Sequence, residues 1–273
     1  LDGAALTVSD GACTFTVSED CTLTVEFAKI GGNSGNGGSV RPTRPSGTTS
    51  QKLPSINGTE KSWADIAAEL NKLSGGSVVI SLNGETTVPA DVIRAIANNR
   101  IKAEFVIDSV KSWVIDGSKI TAVSSADLST LPGNADKSAL RGVTGADLSV
   151  NGTGVPAGLK LSFRREFAGQ FANVYKLADK KLVFQGCVKL NDDGSAVIPG
   201  TYTAGEYVVM VCEFSDLPGD VNNDGTLNAL DASAILKDIV GDFRCANPQM
   251  GDFNGDGVLN ALDASAILRQ IVL

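Results

Sequence analysis

Apolar and polar residues alternate along the first 30 residues, which is the pattern of half-buried β-strands. The alternation is clearest in residues 13–17 and 23–27. Because so short a stretch cannot build a core, we expect residues 1–30 to be the C-terminal strands of a truncated upstream β domain. We therefore interpret the chain, which starts at Leu1, as a piece of a longer protein. Residues 31–57 are rich in Gly, Ser and Pro, and this composition predicts a linker.

Two short helices are predicted after the linker. Ser62 can cap the first of them, and Pro89 is a favourable opening residue for the second. The apolar face of the first helix would comprise Trp63, Ile66, Ala67, Leu70 and Leu73, with Gly75 and Gly76 ending it. The second helix would turn Val92, Ile93 and Ile96 inward.

Strand patterns dominate the rest of residues 58–215. The predicted strands cover residues 77–82, 103–108, 113–115, 159–163, 172–177, 182–190 and 207–214. Asp116 and Gly117 predict a hairpin turn, whereas residues 124–156 are rich in turn residues and give no clear assignment. The predicted fold class is mixed: a β-rich, β-sandwich-like domain with two short helices, followed by a small all-α module in residues 216–273.

The last 58 residues contain an internal duplication. Residues 220–241 and 252–273, which are offset by 32 positions, are identical at 16 of 22 positions. Residues 227–236 recur unchanged as residues 259–268. Each copy begins with the Asp-x-Asn-x-Asp-Gly spacing of an EF-hand calcium loop, and position 12 is again Asp.

The spacing predicts two sites for calcium, a hard cation that takes six to eight oxygen ligands. The first set is Asp220, Asn222, Asp224, the carbonyl of Thr226, a water held by Asn228, and Asp231. The second set is Asp252, Asn254, Asp256, the carbonyl of Val258, a water held by Asn260, and Asp263. Gly225 and Gly257 would supply the sharp turn at position 6. The alternative is a pair of Asn/Asp-rich turns that cap helices without a metal.

Charge and composition narrow the functional classes. The chain has no His, which excludes Ser/His/Asp and Cys/His hydrolase designs and His-ligated zinc. The net charge is −8 without a basic cluster, so no nucleic-acid partner is expected. No apolar run approaches the roughly 20 residues of a membrane helix.

The loop–helix duplication lacks the entering helix of an ordinary EF-hand, because prolines at positions 218 and 248 break it. In this it closely resembles a type I dockerin, the module that attaches components to cohesin domains of a cellulosome scaffold. The resemblance implies a calcium-dependent, cohesin-binding module in a secreted protein, as part of an extracellular or cell-surface assembly concerned with polysaccharide degradation. By position, the implied cohesin-binding residues are Ala229, Leu230, Lys237, Ala261, Leu262 and Arg269. The alternative for these exposed apolar pairs is packing within the module.

Residues 58–215 weakly resemble a β-rich ancillary module found beside dockerins, around residues 88–91, 113–117 and 172–175. That resemblance implies no catalytic residues, and we expect a non-catalytic structural or adhesive domain. A polysaccharide-binding domain is the main alternative, with Trp63, Trp113, Phe171 and Tyr175 as candidate aromatic contacts. A small carboxylate glycoside hydrolase is less favoured, with Glu85, Glu104, Asp108 and Glu166 as candidate carboxylates.

The five cysteines leave the redox state open, because an odd number cannot close entirely into internal disulfides. The spacing is compatible with a bridge between Cys13 and Cys21 and with one between Cys187 and Cys212, but it establishes neither.

Residues 216–273 contain nine Asp and only three Lys or Arg, so this segment carries most of the negative charge of the chain. Without a cation these carboxylates repel one another, and so few residues bury little apolar surface. We therefore expect a peptide of residues 216–273 to lose its helical circular dichroism when a chelator is added and to regain it with calcium. A spectrum that the chelator leaves unchanged would contradict this prediction.

Overall fold

The computed structural model describes residues 52–200 and 202–272, which belong to one compact unit. The predicted strands of residues 1–30, the cysteine pair at 13 and 21 and the linker up to residue 51 lie outside the described residues. None of the helices within the described part of the chain has the length and apolarity needed to cross a bilayer.

Both predicted helices are present in the β-rich part of the chain. The first, α1 (Trp63–Leu70), begins after Ser62, whose hydroxyl accepts a hydrogen bond from the amide of Asp65 at 3.2 Å. It ends earlier than predicted, and Leu73 is exposed. The second, α2 (Ala90–Asn98), begins after Pro89 and buries all of its predicted inward residues.

The described residues form three sheets. The seven-stranded sheet has the spatial order β13 (Ser195–Ile198), β10 (Gly158–Ser162), β6 (Lys111–Asp116), β5 (Lys102–Val106), β3 (Ser77–Ser81), β1 (Ser55–Ile56) and β2 (Thr59–Glu60). The five-stranded sheet has the order β12 (Lys181–Lys189), β11 (Phe171–Ala178), β14 (Thr203–Cys212), β9 (Val143–Gly152) and β8 (Leu131–Pro132). A two-stranded sheet pairs β4 (Thr87–Val88) with β7 (Ala126–Asp127).

Strand pairing is antiparallel except between β3 and β5, which run parallel and are connected through α2. This β–α–β crossover explains the presence of α2 in a domain that is otherwise built mainly from strands, whereas α1 lies before β3, outside the crossover. β1 begins at Ser55, so the last residues of the predicted linker, 31–57, belong to the sheet. The two residues of β1 pair with both β2 and β3.

One buried apolar cluster contains residues of both large sheets and of α1 and α2. Trp113 on β6 belongs to this cluster and is completely buried. Its indole nitrogen donates a hydrogen bond to the carbonyl of Leu128 at 3.0 Å, and its ring meets that of Tyr202 edge-on at 4.9 Å. The two sheets and two helices therefore share a single core.

The strand β11 contributes to this core with only one of its two faces. Ala172 and Val174 belong to the core cluster. Because side chains alternate along a strand, the intervening Phe171, Asn173 and Tyr175 point to the opposite face of the sheet. All three are nevertheless buried, so this outer face is also covered.

The hairpin predicted at Asp116 and Gly117 is wrong. The Asp116 carboxylate accepts a hydrogen bond from the amide of Ser118 and caps the short 3-10 turn Gly117–Lys119. A return strand has no place there, since β6 already pairs with β5 on one side and β10 on the other.

Residues 124–156 contain β7, β8 and the ten-residue strand β9. The polar positions of β9 hid its alternation, because several of them have side-chain partners elsewhere in the fold: Asn151, for example, donates to Asp127 and Ser129. Lys137 forms an ion pair with Asp147 of β9.

Cys187, Cys212 and Cys245 are free thiols. Cys187 lies on β12 and Cys212 on β14, with β11 between them. Two strand spacings separate their backbones by about 9–10 Å, more than a disulfide spans.

The C-terminal segment forms two helices, α3 (Ala229–Ile239) and α4 (Ala261–Val272), as the duplication predicted. They pack around a small cluster of their own, which includes Ile235 and Ile267. Neither loop has an entering helix: the first follows a turn at residues 217–219, and the second follows the 3-10 turn Pro248–Met250. A third such turn, Arg165–Phe167, lies in the β-rich part.

Candidate functional site

Each acidic loop is anchored to the helix that follows it by the same reciprocal cap. In the first loop, the side chain of Asn228 accepts from the amide of Leu230 at 2.7 Å, while Asp231 accepts from the amide of Asn228 at 2.9 Å. In the second loop, the corresponding bonds of Asn260 and Asp263 measure 2.7 and 2.8 Å. Positions 9 and 12 of each loop are thereby fixed at the start of a helix.

The carboxylate at position 12 also reaches back to the beginning of its loop. Asp231 accepts from the amides of Val221 and Asn222 at 3.1 and 3.3 Å. Asp263 accepts from the amide of Asn254 at 3.1 Å. The two ends of each loop are therefore held together by a ligand candidate, which is the closure that a 12-residue calcium loop requires.

The carboxylate at position 1 closes the first half of each loop. Asp220 accepts from the amide of Gly225 at 2.9 Å, and Asp252 accepts from that of Gly257 at 2.9 Å. Gly225 and Gly257 have φ angles of +85° and +84°, a region that L side chains rarely adopt. The predicted turn at position 6 is present in both loops.

The residues present fit a hard cation. Asp220, Asp231 and Asp263 are completely buried, which is unfavourable for carboxylates that lack a positive counter-charge. Burial raises the pKa of Asp231, and the nearby carboxylates of Asp220 and Asp224 raise it further, against the amide hydrogen bonds that lower it. A bound calcium ion would supply the missing positive charge.

Within residues 52–200 and 202–272, no three Cys, Asp or Glu side chains are grouped closely enough to hold a metal ion. The predicted sets also use Asn and carbonyl oxygens. In both loops the Asn at position 9 is held against the position-7 carbonyl: Asn228 donates to Thr226 at 3.4 Å and Asn260 to Val258 at 3.0 Å. The structure thus brings the candidate ligands into two closed loops without drawing the carboxylates into one cluster.

The residues expected to contact a partner all lie on the surface. Ala229 and Leu230 form the first turn of α3, and Ala261 and Leu262 form the first turn of α4. The exposed fractions of Leu230 and Leu262 are 65% and 62%. Lys237 and Arg269, further along the two helices, are also exposed. The alternative that the apolar pairs pack within the module does not fit this exposure.

Two closed acidic loops, each leading directly into a helix, define a paired loop–helix module of the half EF-hand type. Residues 218–272 match the family model of the dockerin type I domain, and this segment is a type I dockerin. No curated protein and no solved structure matches the chain. Dockerins in general bind calcium and dock onto cohesin domains, and proteins that carry them are typically extracellular cellulosome components.

The candidate sugar-stacking residues do not form an exposed platform. Trp113, Phe171 and Tyr175 are buried, with at most 5% of their surface exposed. Trp63 is partly buried and packs against the core. An aromatic ring stacks on a sugar only when its face is accessible, so these side chains have structural roles.

The candidate catalytic carboxylates belong to local polar contacts. Glu104 accepts hydrogen bonds from Ser112 at 2.7 Å and from Lys160 at 2.9 Å. Burial raises its pKa, but these two hydrogen bonds together with the positive charges of Lys160 and Lys102 outweigh burial and lower the pKa overall. Asp108 caps the turn at Val110 and Lys111, and Glu166 pairs with Arg164. A lowered pKa is the reverse of what a general acid needs.

Sequence reasoning missed the residues that join the first acidic loop to the β-rich part. Three residues on the outer face of β11 contact residues 214–225: Phe171, Asn173 and Tyr175. We call these three residues the β11 seat. Asn173 donates to the carbonyl of Phe214 at 2.9 Å and accepts from the amide of Asp216 at 2.8 Å. The Tyr175 hydroxyl donates to Asp216, and the Phe171 ring lies against Gly225.

Arg141 extends this contact from the segment before β9. Its guanidinium pairs with Asp216 and donates to the side chain of Gln249 at 2.8 Å. Arg141 therefore contacts the segments that precede both acidic loops. It also lies over the ring of Phe214 at 5.7 Å. The only sequence signal for the seat was an Asn between aromatic residues on one strand face, which does not identify the partner.

The contact between Gly225 and Phe171 predicts unequal effects of two matched substitutions. A Cβ at Gly225 would come within 2.8 Å of the Phe171 ring, whereas one at Gly257 has nothing within 4 Å. Both positions share the same positive φ, so Gly257→Ala should cost only the backbone strain, about 1–2 kcal/mol of unfolding free energy. Gly225→Ala should cost about 1–3 kcal/mol more because a buried ring must move.

Urea unfolding of the full chain in saturating calcium, followed by circular dichroism, checks this difference. Equal losses for the two variants would show that the first loop does not rest on Phe171.

Proposed function

We propose that this protein is a secreted, non-catalytic component that docks through its calcium-dependent dockerin onto a cohesin domain of a scaffoldin. The cohesin-binding residues are Ala229, Leu230, Lys237, Ala261, Leu262 and Arg269. The β-rich domain has a structural or adhesive role beside the dockerin.

The observation that carries this proposal is the pair of equivalent, exposed apolar patches at the starts of α3 and α4. A leucine that exposes about two thirds of its surface is unfavourable in water, and its burial in a partner would be favourable. Interface energy concentrates in a few residues near the centre of the contact. A cohesin with an apolar patch is therefore the partner that this surface fits.

Calcium has a positioning role in this proposal. Leu230 and Leu262 are each held by the cap residue of their own loop, so the loop must be closed for the leucine to point outward. One ion in each loop, two in all, would neutralise the carboxylates that otherwise force the loop open. Cohesin binding should therefore be lost when calcium is removed.

The duplication supports binding through either repeat, since a half-turn of the module would exchange the two leucines. Leu230→Asp alone should weaken cohesin binding by less than about threefold, because the Leu262 copy remains. The double variant Leu230→Asp with Leu262→Asp should weaken binding by at least about 100-fold. Isothermal titration calorimetry against a panel of cohesins, with and without calcium, measures these effects.

Leu131→Asp is the matched control for the leucine variants. Leu131 lies on β8, exposes 61% of its surface and has no place in the proposed interface. Its replacement should leave the affinity unchanged. Complete loss of binding from Leu230→Asp alone would exclude binding through either repeat, and full binding by the double variant would place the interface elsewhere.

The buried aromatic candidates support a structural β-rich domain over the polysaccharide-binding alternative. We expect the full chain to migrate unretarded in affinity gels that contain plant cell-wall polysaccharides or starch, with calcium present throughout. Gels without polysaccharide provide the reference mobility. Retardation in any one gel, retained in the double leucine variant, would make this domain a polysaccharide-targeting module.

A further inference from the structure

The two calcium loops have nearly the same sequence but different surroundings. Asp220 at position 1 of the first loop is completely buried, whereas its counterpart Asp252 is exposed. Asn222 is half-buried and Asn254 is exposed. Most bonds within the two loops correspond, but the first loop has two more, from the amide of Val221 to Asp231 and from the amide of Asp224 to Asp220. The first loop also bonds to the backbone of residues 213 and 215, outside the loop.

Asn223, at position 4 of the first loop, makes the main polar contact outside that loop. Its side-chain oxygen accepts from the amide of Ser215 at 2.9 Å, and its side-chain nitrogen donates to the carbonyl of Glu213 at 3.0 Å. Asn223 has a φ of +61°, a conformation that Asn tolerates. The second loop has Gly255 at this position, with a φ of +77° and no side chain to make such bonds.

The segment that Asn223 holds is itself fixed to the β-rich domain. Asn173 of the β11 seat bonds to the backbone on both sides of Ser215, at Phe214 and Asp216. The buried side chain of Asn247 donates to the Ser215 carbonyl at 2.7 Å and reaches the Asp220 carbonyl at 3.3 Å. The first loop is therefore connected, through residues 213–216, to β11.

We propose that the β-rich domain holds the first loop in its calcium-binding shape, so that this loop binds calcium more tightly than the second. Asn223 is the positioning residue for this effect, and Phe171 supports it by packing against Gly225. The inference rests on the calcium binding of the proposed function and adds that the two sites differ in calcium affinity. As calcium falls, the second loop empties first and the start of α4 loses its shape before that of α3.

The physical basis is the cost of ordering a loop. An ion that binds a flexible loop must offset the conformational entropy lost by that loop. Contacts that already hold the loop closed reduce this cost and appear as higher affinity. The first loop has such contacts from the β-rich domain, while the Cβ positions of Gly255 and Gly257 in the second face open space.

The test measures each site separately in the full chain. Asp256→Ala removes an exposed ligand of the second loop and reports the first, and Asp224→Ala does the reverse at the matching position. Calcium is titrated against a chromophoric chelator in each background. We expect the first loop to have a Kd about tenfold lower than the second.

Asn223→Gly gives the first loop the residue found naturally in the second, so the loop should still fold. In the Asp256→Ala background it should raise the Kd of the first loop about tenfold, because two hydrogen bonds are lost. The matched control Gly255→Asn, in the Asp224→Ala background, should change the Kd of the second loop by less than about twofold. Phe171→Leu is a second probe from the β-rich side and should weaken only the first loop.

Equal calcium Kd values in the two backgrounds would overturn this inference and leave the proposed function intact. An unchanged first-loop Kd in both Asn223→Gly and Phe171→Leu would do the same. Absence of calcium binding at either loop would instead overturn the calcium dependence of the proposed function, and this inference with it.

Discussion

The alternation of side chains along β11 is the constraint on which the arrangement of this protein depends. Its inward residues, Ala172 and Val174, complete the core shared by the two large sheets. Its outward residues, Phe171, Asn173 and Tyr175, all contact residues 214–225, and the Tyr175 ring is also buried in a second apolar cluster with Ala135 and Met210. Strand β11 therefore links the core of the β-rich domain to the first acidic loop, and a shift of its register by one residue would disrupt both.

Features set by neighbouring residues could be predicted from the sequence. The caps at Ser62 and Asn228 act within one helical turn, and the duplicated spacing of Asp, Asn and Gly specifies two closed loops whatever surrounds them. The hairpin predicted at Asp116 failed for a non-local reason, since both edges of β6 are already paired. Strand β9 escaped prediction because its polar residues have partners that are distant in sequence, such as Lys137 for Asp147 and Asp127 for Asn151.

The β11 seat could not be predicted because its contacts are also non-local. Asn173 and Asp216 are far apart in sequence, and nothing near either residue identifies the other. The difference between Asn223 and Gly255 was visible in the duplication, but only the structure gives it meaning, since Asn223 has backbone partners at residues 213 and 215. A sequence difference between two repeats can be interpreted once the surroundings of each repeat are known.

The seat has a mechanical consequence. When a partner holds α3 or α4 and the rest of the chain is pulled, the connection at residues 213–219 is the only covalent path between them. The contacts of Arg141 and Tyr175 with Asp216, and those of Asn173 beside it, run alongside that path. Tension is therefore shared between the backbone and several lateral hydrogen bonds and ion pairs. The junction resists extension more than a linker without such contacts would.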